Sequence, residues 1–438
     1  MTRSFSPGSG GSARITRRAC CAALISGAAM AWAQSGAAPD VDGLTGKVFC
    51  GYQGWFRTPD DGTGLGWFHY GSRRRFEPGA CSIDLWPDVR ELAAEDRTAT
   101  SFLHPDGSAA EVFSSARPGV AKVHFRWMKE HGINGVFLQR FAVTARDPRH
   151  LSSMDAVLDS CRAAAKETGR EWALMYDLSG LKPGEAASVI DDWSHLQQGP
   201  RPGDPEANPT YLRHRGKPLV ALWGLGFSDR APMLDEWEKL ITFFKTEAWP
   251  GGCAVMLGVP TFWRTLDRDA IADPALHRLI AMADVVSPWA VGRYNAPRAA
   301  ASHIQRVVPA DRTWCAEKKL DYLPVVFPGF SWRNLSAGRG QDAPLDAIPR
   351  LGGRFFWSQC LQQHRAGATA LYVAMFDELD EATAIFKTRS DPPVGASSFV
   401  AEKDVPGDHY LWLTGQAGRL LRGELTPPEE EALPPRTP

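Results

Sequence analysis

Residues 370–387 read A-L-Y-V-A-M-F-D-E-L-D-E-A-T-A-I-F-K, an apolar run that breaks into Asp377, Glu378, Asp380 and Glu381. Carboxylates this close repel one another, so at least one holds its proton more tightly than an isolated acid. Acid–base chemistry needs that split: one neutral carboxyl protonates a leaving oxygen and one anion assists attack. Glu378 and Glu381 are therefore the candidate catalytic pair. Asp377 joins the candidate substrate-binding residues, and Asp380 is expected to cap a short helix over residues 382–386.

A second cluster is aromatic. Residues 48–70, V-F-C-G-Y-Q-G-W-F-R-T-P-D-D-G-T-G-L-G-W-F-H-Y, carry Tyr52, Trp55, Trp67, His69 and Tyr70 around the end of an apolar run. Trp223, Trp263, Trp289 and Trp332 stand at or after the ends of other such runs. Flat rings gathered at one mouth suit the faces of pyranose sugars, although each taken singly also serves as core filler. Asp177 either hydrogen-bonds a ligand hydroxyl or closes the turn Asp177-Leu178-Ser179-Gly180. There is no G-x-x-x-x-G-K-[ST] loop, H-E-x-x-H, G-x-S-x-G or EF-hand loop, and the eleven histidines lack metal-ligand spacing. Neither a metal nor an organic cofactor is expected.

The elements that must position these residues alternate along the chain. Strand candidates fall at residues 47–51, 135–141, 172–178, 219–225, 254–259, 285–289, 323–327 and 370–376. Most are unbroken apolar runs, as parallel strands covered on both faces should be. Helices fit between them at residues 120–130, 152–168, 184–196, 233–246, 268–282, 296–307 and 355–365, with Ser152 or Ser153 as cap and Gly169 as terminator of the second. This repetition predicts an α/β (β/α)₈ TIM barrel with a long loop, residues 57–118, after strand 1 and a C-terminal helix over residues 408–422. Catalytic groups in such barrels sit at the C-terminal ends of the strands, where the four acids and the long loop fall. An open doubly wound sheet is the alternative, but no glycine fingerprint follows the first strand.

Composition narrows the classes further. With 49 Lys+Arg against 50 Asp+Glu, 44% hydrophobic residues and 10% aromatics, the chain is neither disordered nor electrostatically suited to nucleic acid. Arg14, Arg17 and Arg18, an apolar run to Trp32 and the A-W-A at residues 31–33 have signal-peptide order, and Thr16-Arg17-Arg18 resembles a twin-arginine signal. The expected organisation is a signal peptide over residues 1–33, a linker at 34–46, one catalytic domain at 47–424 and a disordered tail at 425–438. The product would be periplasmic or extracellular, with no integral membrane span and an open oligomeric state. Cys50, Cys81, Cys161, Cys253, Cys315 and Cys360 form no C-x-x-C pair. Cys50 and Cys253 read as buried thiols, which leaves room for one or two disulfides.

These residues carry a resemblance. The chain resembles the clan of glycoside hydrolase family 99 (endo-α-mannosidases and endo-α-mannanases) and family 71 (α-1,3-glucanases), and most of all the bacterial family 71/99-like secreted proteins. The match lies in the aromatic first strand running to Trp67-Phe68-His69, in Y-L-R-H-R-G-K-P-L-V-A-L-W-G-L-G at residues 211–226, in L-P-V-V-F-P-G-F-S-W-R-N at residues 323–334, and in F-D-E-L-D-E. Family 99 places its catalytic glutamates as E-x-x-E after strand eight, usually in N-E-W-H-E-G. The resemblance implies that Glu378 assists the substrate 2-hydroxyl, through a 1,2-anhydro-sugar and with net retention, while Glu381 is general acid and then base. Asp377 stands for Asn, Leu379-Asp380 for Trp-His and Ala382 for Gly, so the acid pair carries over and mannose specificity does not.

The reading is an exported glycoside hydrolase acting on an α-linked polysaccharide or glycan. The alternatives are a carbohydrate-binding protein without catalysis on the same barrel, and an envelope adhesin lacking a deep aromatic cleft.

Overall fold

The computed structural model describes residues 43–428 and 432–436, apart from residues 73 and 231. The expected signal segment and the linker up to residue 42 lie outside the described residues.

All eight expected strands are present: β1 Val48–Tyr52, β2 Gly135–Phe141, β3 Glu171–Asp177, β4 Lys217–Trp223, β5 Ala254–Val259, β6 Val285–Pro288, β7 Val325–Val326 and β8 Leu371–Val373. They pair in parallel in the order β6-β5-β4-β3-β2-β1-β8-β7. The sheet closes within one stretch of chain, residues 321–326. Its first half, Asp321–Tyr322, pairs in parallel with β6, and its second half is β7, paired with β8. Pro324, which has no N–H to give, sits between the halves and accepts through its carbonyl from Tyr372 N–H at 3.0 Å. The result is a (β/α)₈ barrel.

Strand parity decides which residues enter the lumen. Tyr52 faces outward against His124 and Phe125 of the helix Pro118–Glu130, whereas Phe49 packs inside the barrel on Phe137 of the neighbouring strand at 5.6 Å. Gly51 also faces inward, and a Cβ there would collide with the Tyr372 hydroxyl and the Met375 sulfur. At the C-terminal end of the sheet, Phe141, Asp177, Trp223, Gly258 and Ser287 lie in register across β2 to β6. That layer is the floor of the mouth.

Several helices differ in length from the sequence reading. Pro148–Thr168 starts one turn earlier than expected, because Asp147 caps it by accepting from Arg149 N–H at 2.9 Å and Pro148 occupies the first turn. Gly169 ends it at φ 67°. Pro297–Glu317 runs through Pro309, while the helix expected over residues 268–282 shrinks to Ala275–Ile280. Residues 57–118 are more than a loop: Arg97–Leu103 and Ala109–Phe113 form an antiparallel hairpin. This insertion is pinned over the strand ends, with Asp84 N–H on Leu379 C=O at 2.9 Å and Asp88 N–H on Lys387 C=O at 3.0 Å. The Asp84 carboxylate reaches onward to Ser331 Oγ (2.5 Å), Arg333 N (2.7 Å) and Asn334 N (2.9 Å).

Contrary to the expected disordered tail, part of residues 425–438 is docked: Pro434 is buried and Arg436 pairs with Asp408 at 2.7 Å over the Trp412 ring. The six cysteines among the described residues are free and buried. No helix among the described residues is long and apolar enough to cross a membrane.

The C-terminal helix His409–Leu421 buries Tyr410, Leu411, Leu413, Ala417 and Leu420, while Leu421 is half-buried. Gly415 lets this helix approach the His131 carbonyl, which a Cβ would strike. On an open helix Gly→Ala gains about 1 kcal/mol. Here overpacking against backbone costs about 1–3 kcal/mol, so Gly415→Ala should lower the thermal midpoint in calorimetry. A rise would show that the helix yields.

Candidate active site

The four acids occupy a turn that folds back on the exit of β8. Phe376 N–H bonds Gly51 C=O at 2.8 Å, which continues the β1–β8 ladder one step past the strand. Met375 N–H then bonds Thr383 C=O (3.1 Å), Ile385 N–H bonds Met375 C=O (3.1 Å) and Ala384 N–H bonds Glu378 C=O (2.9 Å). The reversal lies at Leu379–Ala382, closed by Ala382 N–H on Leu379 C=O at 3.3 Å, with Ala382 at φ 52°. Buried Arg350 donates to Ala384 C=O at 2.8 Å, and Ser331 N–H to Glu381 C=O at 3.0 Å. The helix expected over residues 382–386 does not form, so Asp380 caps nothing. The returning strand-like pairing consumes the amides a helix would need.

Each acid has a different environment. Asp377 is fully buried, and its two oxygens accept from the backbone N–H groups of Gln53 (2.7 Å) and Gly54 (2.8 Å). Burial pushes it up to about 7 against the pull of those amides. Its carboxylate therefore ties β8 to β1 rather than facing a ligand, which corrects its place among the substrate-binding candidates. Glu378 is buried, with Oε1 accepting from Gln53 Nε2 at 2.9 Å and Oε2 from Thr383 Oγ1 at 2.5 Å. Burial, then the charges of Glu381 and Asp380, hold it well above the usual carboxylate range. Asp380 is buried with Oδ2 3.0 Å from His69 Nδ1. Glu381 is half-buried, and its carboxyl, unlike its backbone carbonyl, takes no hydrogen bond from the described residues. Burial and the Asp380 charge push it up to about 7, and Arg339 opposes them.

The aromatic candidates divide by parity and depth. Trp55 and His69 stack at 3.7 Å and 8°, and Trp55 continues onto Phe141 at 5.0 Å. Trp223 and Trp289 meet edge to face at 5.0 Å, with the Arg230 guanidinium over Trp223. Trp67 packs on Phe76 at 5.0 Å, and Trp332 stands 38% exposed beside Phe330. Asp177 accepts from Ser179 N–H at 2.7 Å, so it does close the turn. It also lies in the floor layer, where burial raises it and Arg230 opposes.

Tyr52 and Tyr70 leave the set. Both are fully buried, with their hydroxyls on His124 Nδ1 (2.9 Å) and Phe113 C=O (2.8 Å). Trp263 is core, packed on Trp314. Gln53, Thr383 and Arg230 were missed. The first was recoverable, because it shares the inward parity of Phe49 and Gly51.

Beside the acid turn a cavity of about 650 Å³ is lined by Trp67, Phe68, His69, Arg74, His150 and Asp380, among others. Buried polar groups are normally hydrogen-bonded. Yet Gln53 Oε1, Trp55 Nε1, Trp223 Nε1 and Asp380 Oδ1, all at this end of the barrel, have no partner among the described residues. No cluster of His, Cys, Asp and Glu among the described residues could hold a metal ion.

No protein-family model and no curated protein sequence matches the chain. Solved structures do. A GH99 endo-α-mannosidase from Bacteroides thetaiotaomicron aligns with a TM-score of 0.61 at 15% identity, over 87% of this chain and 99% of that one. A structure of that enzyme in complex with bis-tris propane gives 0.60 at 14% identity, over 87% and 98%. At such identity the shared property is the fold, and this chain has a glycoside-hydrolase-like (β/α)₈ barrel similar to that of family 99.

Proposed function

We propose that the chain is an exported glycoside hydrolase that cleaves an α-linked glycan or polysaccharide with Glu378 and Glu381. The observation that carries this reading is the turn itself. It holds two glutamates three residues apart at the exit of β8, one carboxyl gripped by Gln53 and Thr383 and the other without a donor among the described residues.

The pair is crowded enough to retain a proton that isolated carboxyls would have lost. Burial and the Glu381 charge hold that proton on Glu378 in the resting pair, and the reaction requires it on Glu381, with Gln53 Nε2 and Thr383 Oγ1 steadying the Glu378 anion. In the first step Glu378 accepts the proton of the sugar 2-hydroxyl as O2 closes on C1. The C1–O bond to the leaving group breaks, and Glu381 gives its proton to the departing oxygen. In the second step Glu381 takes a proton from water as the water oxygen attacks C1. The C1–O2 bond breaks and Glu378 returns the first proton to O2, so one water is consumed and the anomeric configuration is retained. The stacked rings and the orphaned donors and acceptors of the floor would hold the sugar while this occurs.

A binding protein without turnover is the second reading, favoured by Glu378 already having both oxygens hydrogen-bonded. The two are separated by incubating the protein with α-linked oligosaccharides and following new reducing ends. Loss of a positioned acid–base group costs on the order of 10²–10⁴-fold in rate, so Glu381→Gln and Glu378→Gln should each lose at least that much with an unchanged melting curve. Near-wild-type turnover by Glu381→Gln would sink the assignment.

The pH profile tests the proton inventory. Glu381 must be protonated to act first, and its carboxyl lies at about 7. Because Glu378 is held higher still, the one-proton pair forms as pH rises through about 7, so the kcat/KM profile should rise there and fall only at higher pH. Asp380→Asn removes one of the charges that raise both glutamates, so both limbs should move to lower pH. A limb that stays in place would mean another group sets it.

Export is read from the Arg, apolar, A-W-A order of residues 14–33. Mass spectrometry of correctly localised protein should find Gln34 as the first residue. An intact Met1 there would reject the signal.

A further inference from the structure

The cavity beside the acid turn has a built recognition element that the hydrolytic steps above do not use. Asp380 is 3% exposed, and its Oδ2 is committed to His69 Nδ1 at 3.0 Å. Its Oδ1 has no partner among the described residues, and the residue lines the cavity. A buried carboxylate oxygen without a donor is costly unless a ligand or solvent donor meets it.

His69 is held as firmly. It adopts φ 63°, a left-handed conformation unusual for a side chain larger than glycine's. Its ring is stacked on Trp55 at 3.7 Å and lies edge-on to Phe68 at 4.5 Å. With Nδ1–H donating to Asp380, the neutral ring leaves Nε2 as an acceptor, and His69 too lines the cavity. Trp67 and Phe68 supply flat apolar surface on the same wall.

We propose that His69 and Asp380 form a two-acceptor fork that binds neighbouring hydroxyl groups of a neutral pyranose ring lying against Trp67 or Phe68. This ring would be one residue along the glycan from the bond that Glu378 and Glu381 attack. The ligand class follows from the chemistry of the wall. Two fixed acceptors select hydroxyl donors, the aromatic surface takes the C–H face of a ring, and the Asp380 carboxylate repels a uronate at that position. A cavity of about 650 Å³ lies within the range of small-ligand sites, roughly 300–1,000 Å³.

The inference rests on the glycosidase reading for what lies next door, but its test involves no turnover. On a Glu381→Gln background, calorimetric titration uses three neutral probes: α-1,6-mannotetraose, nigerotetraose and maltotetraose. At least one should bind. Asp380→Ala or His69→Ala should weaken that binding by about tenfold or more, the worth of a hydrogen bond to a charged group. Asp380→Asn has a single oxygen, which can serve His69 or the ligand but not both, so it should weaken binding by less than the Ala variant does. Circular dichroism establishes that each variant is folded, and His69→Gln replaces any that is not.

Equal affinity in Asp380→Ala and parent overturns the fork. Failure of all three probes to bind at about 10 mM overturns it too. If wild-type protein leaves every probe intact while Asp380→Ala still weakens binding, the fork stands and the hydrolase reading falls.

Discussion

The candidate site depends on one buried carboxylate. Asp377 closes the ends of β8 and β1 together by accepting from two successive amides, Gln53 N–H and Gly54 N–H. Those amides lie just beyond the last residue of β1, where the ladder to β8 has run out. Without such an acceptor two buried donors would go unpaired at the mouth of the barrel, at about 1–3 kcal/mol each. The clamp also sets direction. Because Asp377 turns toward the β1 backbone, Glu378 reaches the Gln53 side chain, and Gln53 has the inward parity of Phe49 and Gly51. Barrel closure and the aiming of the first glutamate are thus one interaction.

Four acids in one turn would be untenable if all were bare anions, and the fold meets each differently. Backbone amides hold Asp377, an amide side chain and a hydroxyl hold Glu378, and an imidazole holds Asp380. Glu381 has only the more distant Arg339. Three acids with fixed partners leave the fourth as the group whose protonation responds most readily to what enters the site. This differentiation comes from distant parts of the chain: Gln53 follows the first strand, His69 belongs to the insertion and Thr383 to the returning limb. The insertion is itself tied down by Asp84, whose burial raises its carboxyl while four donor groups from Ser331, Arg333 and Asn334 oppose that shift. The aromatic wall it contributes is consequently bound to the loops after β7 and β8, not draped loosely over them.

What was legible in the sequence was what hydrophobicity writes locally. Unbroken apolar runs located every barrel strand, and the break of the last into four acids located the turn, because both signals lie within a few residues. Errors arose where a partner lies far along the chain or where parity was ignored. Asp380 read as a helix cap because His69, 311 positions away, is invisible to local pattern. Tyr52 and Tyr70 were counted with the mouth because they are aromatic. Yet Tyr52 shares the outward parity of Val48 and Cys50, and Tyr70 has its hydroxyl on the hairpin carbonyl of Phe113. Gln53 carries no sequence signal beyond its register. The second helix was begun at Ser152 or Ser153 rather than at its Asp147 cap, although Pro148 is well suited to a first helical turn.

The departures from the N-E-W-H-E-G pattern become intelligible in these terms. Asp377 in the place of Asn offers two acceptors to two amides, where an asparagine could offer one oxygen and would turn its NH₂ toward a second donor. Asp380 in the place of His puts an acceptor where a second imidazole would face His69. It also adds a negative charge beside Glu381, one of the two influences that raise that carboxyl. One side chain therefore affects both how the neighbouring surface reads hydroxyl groups and how tightly the adjacent glutamate keeps its proton. The two effects share a cause, since the burial that leaves Asp380 Oδ1 in want of a donor also keeps water from screening its charge from Glu381.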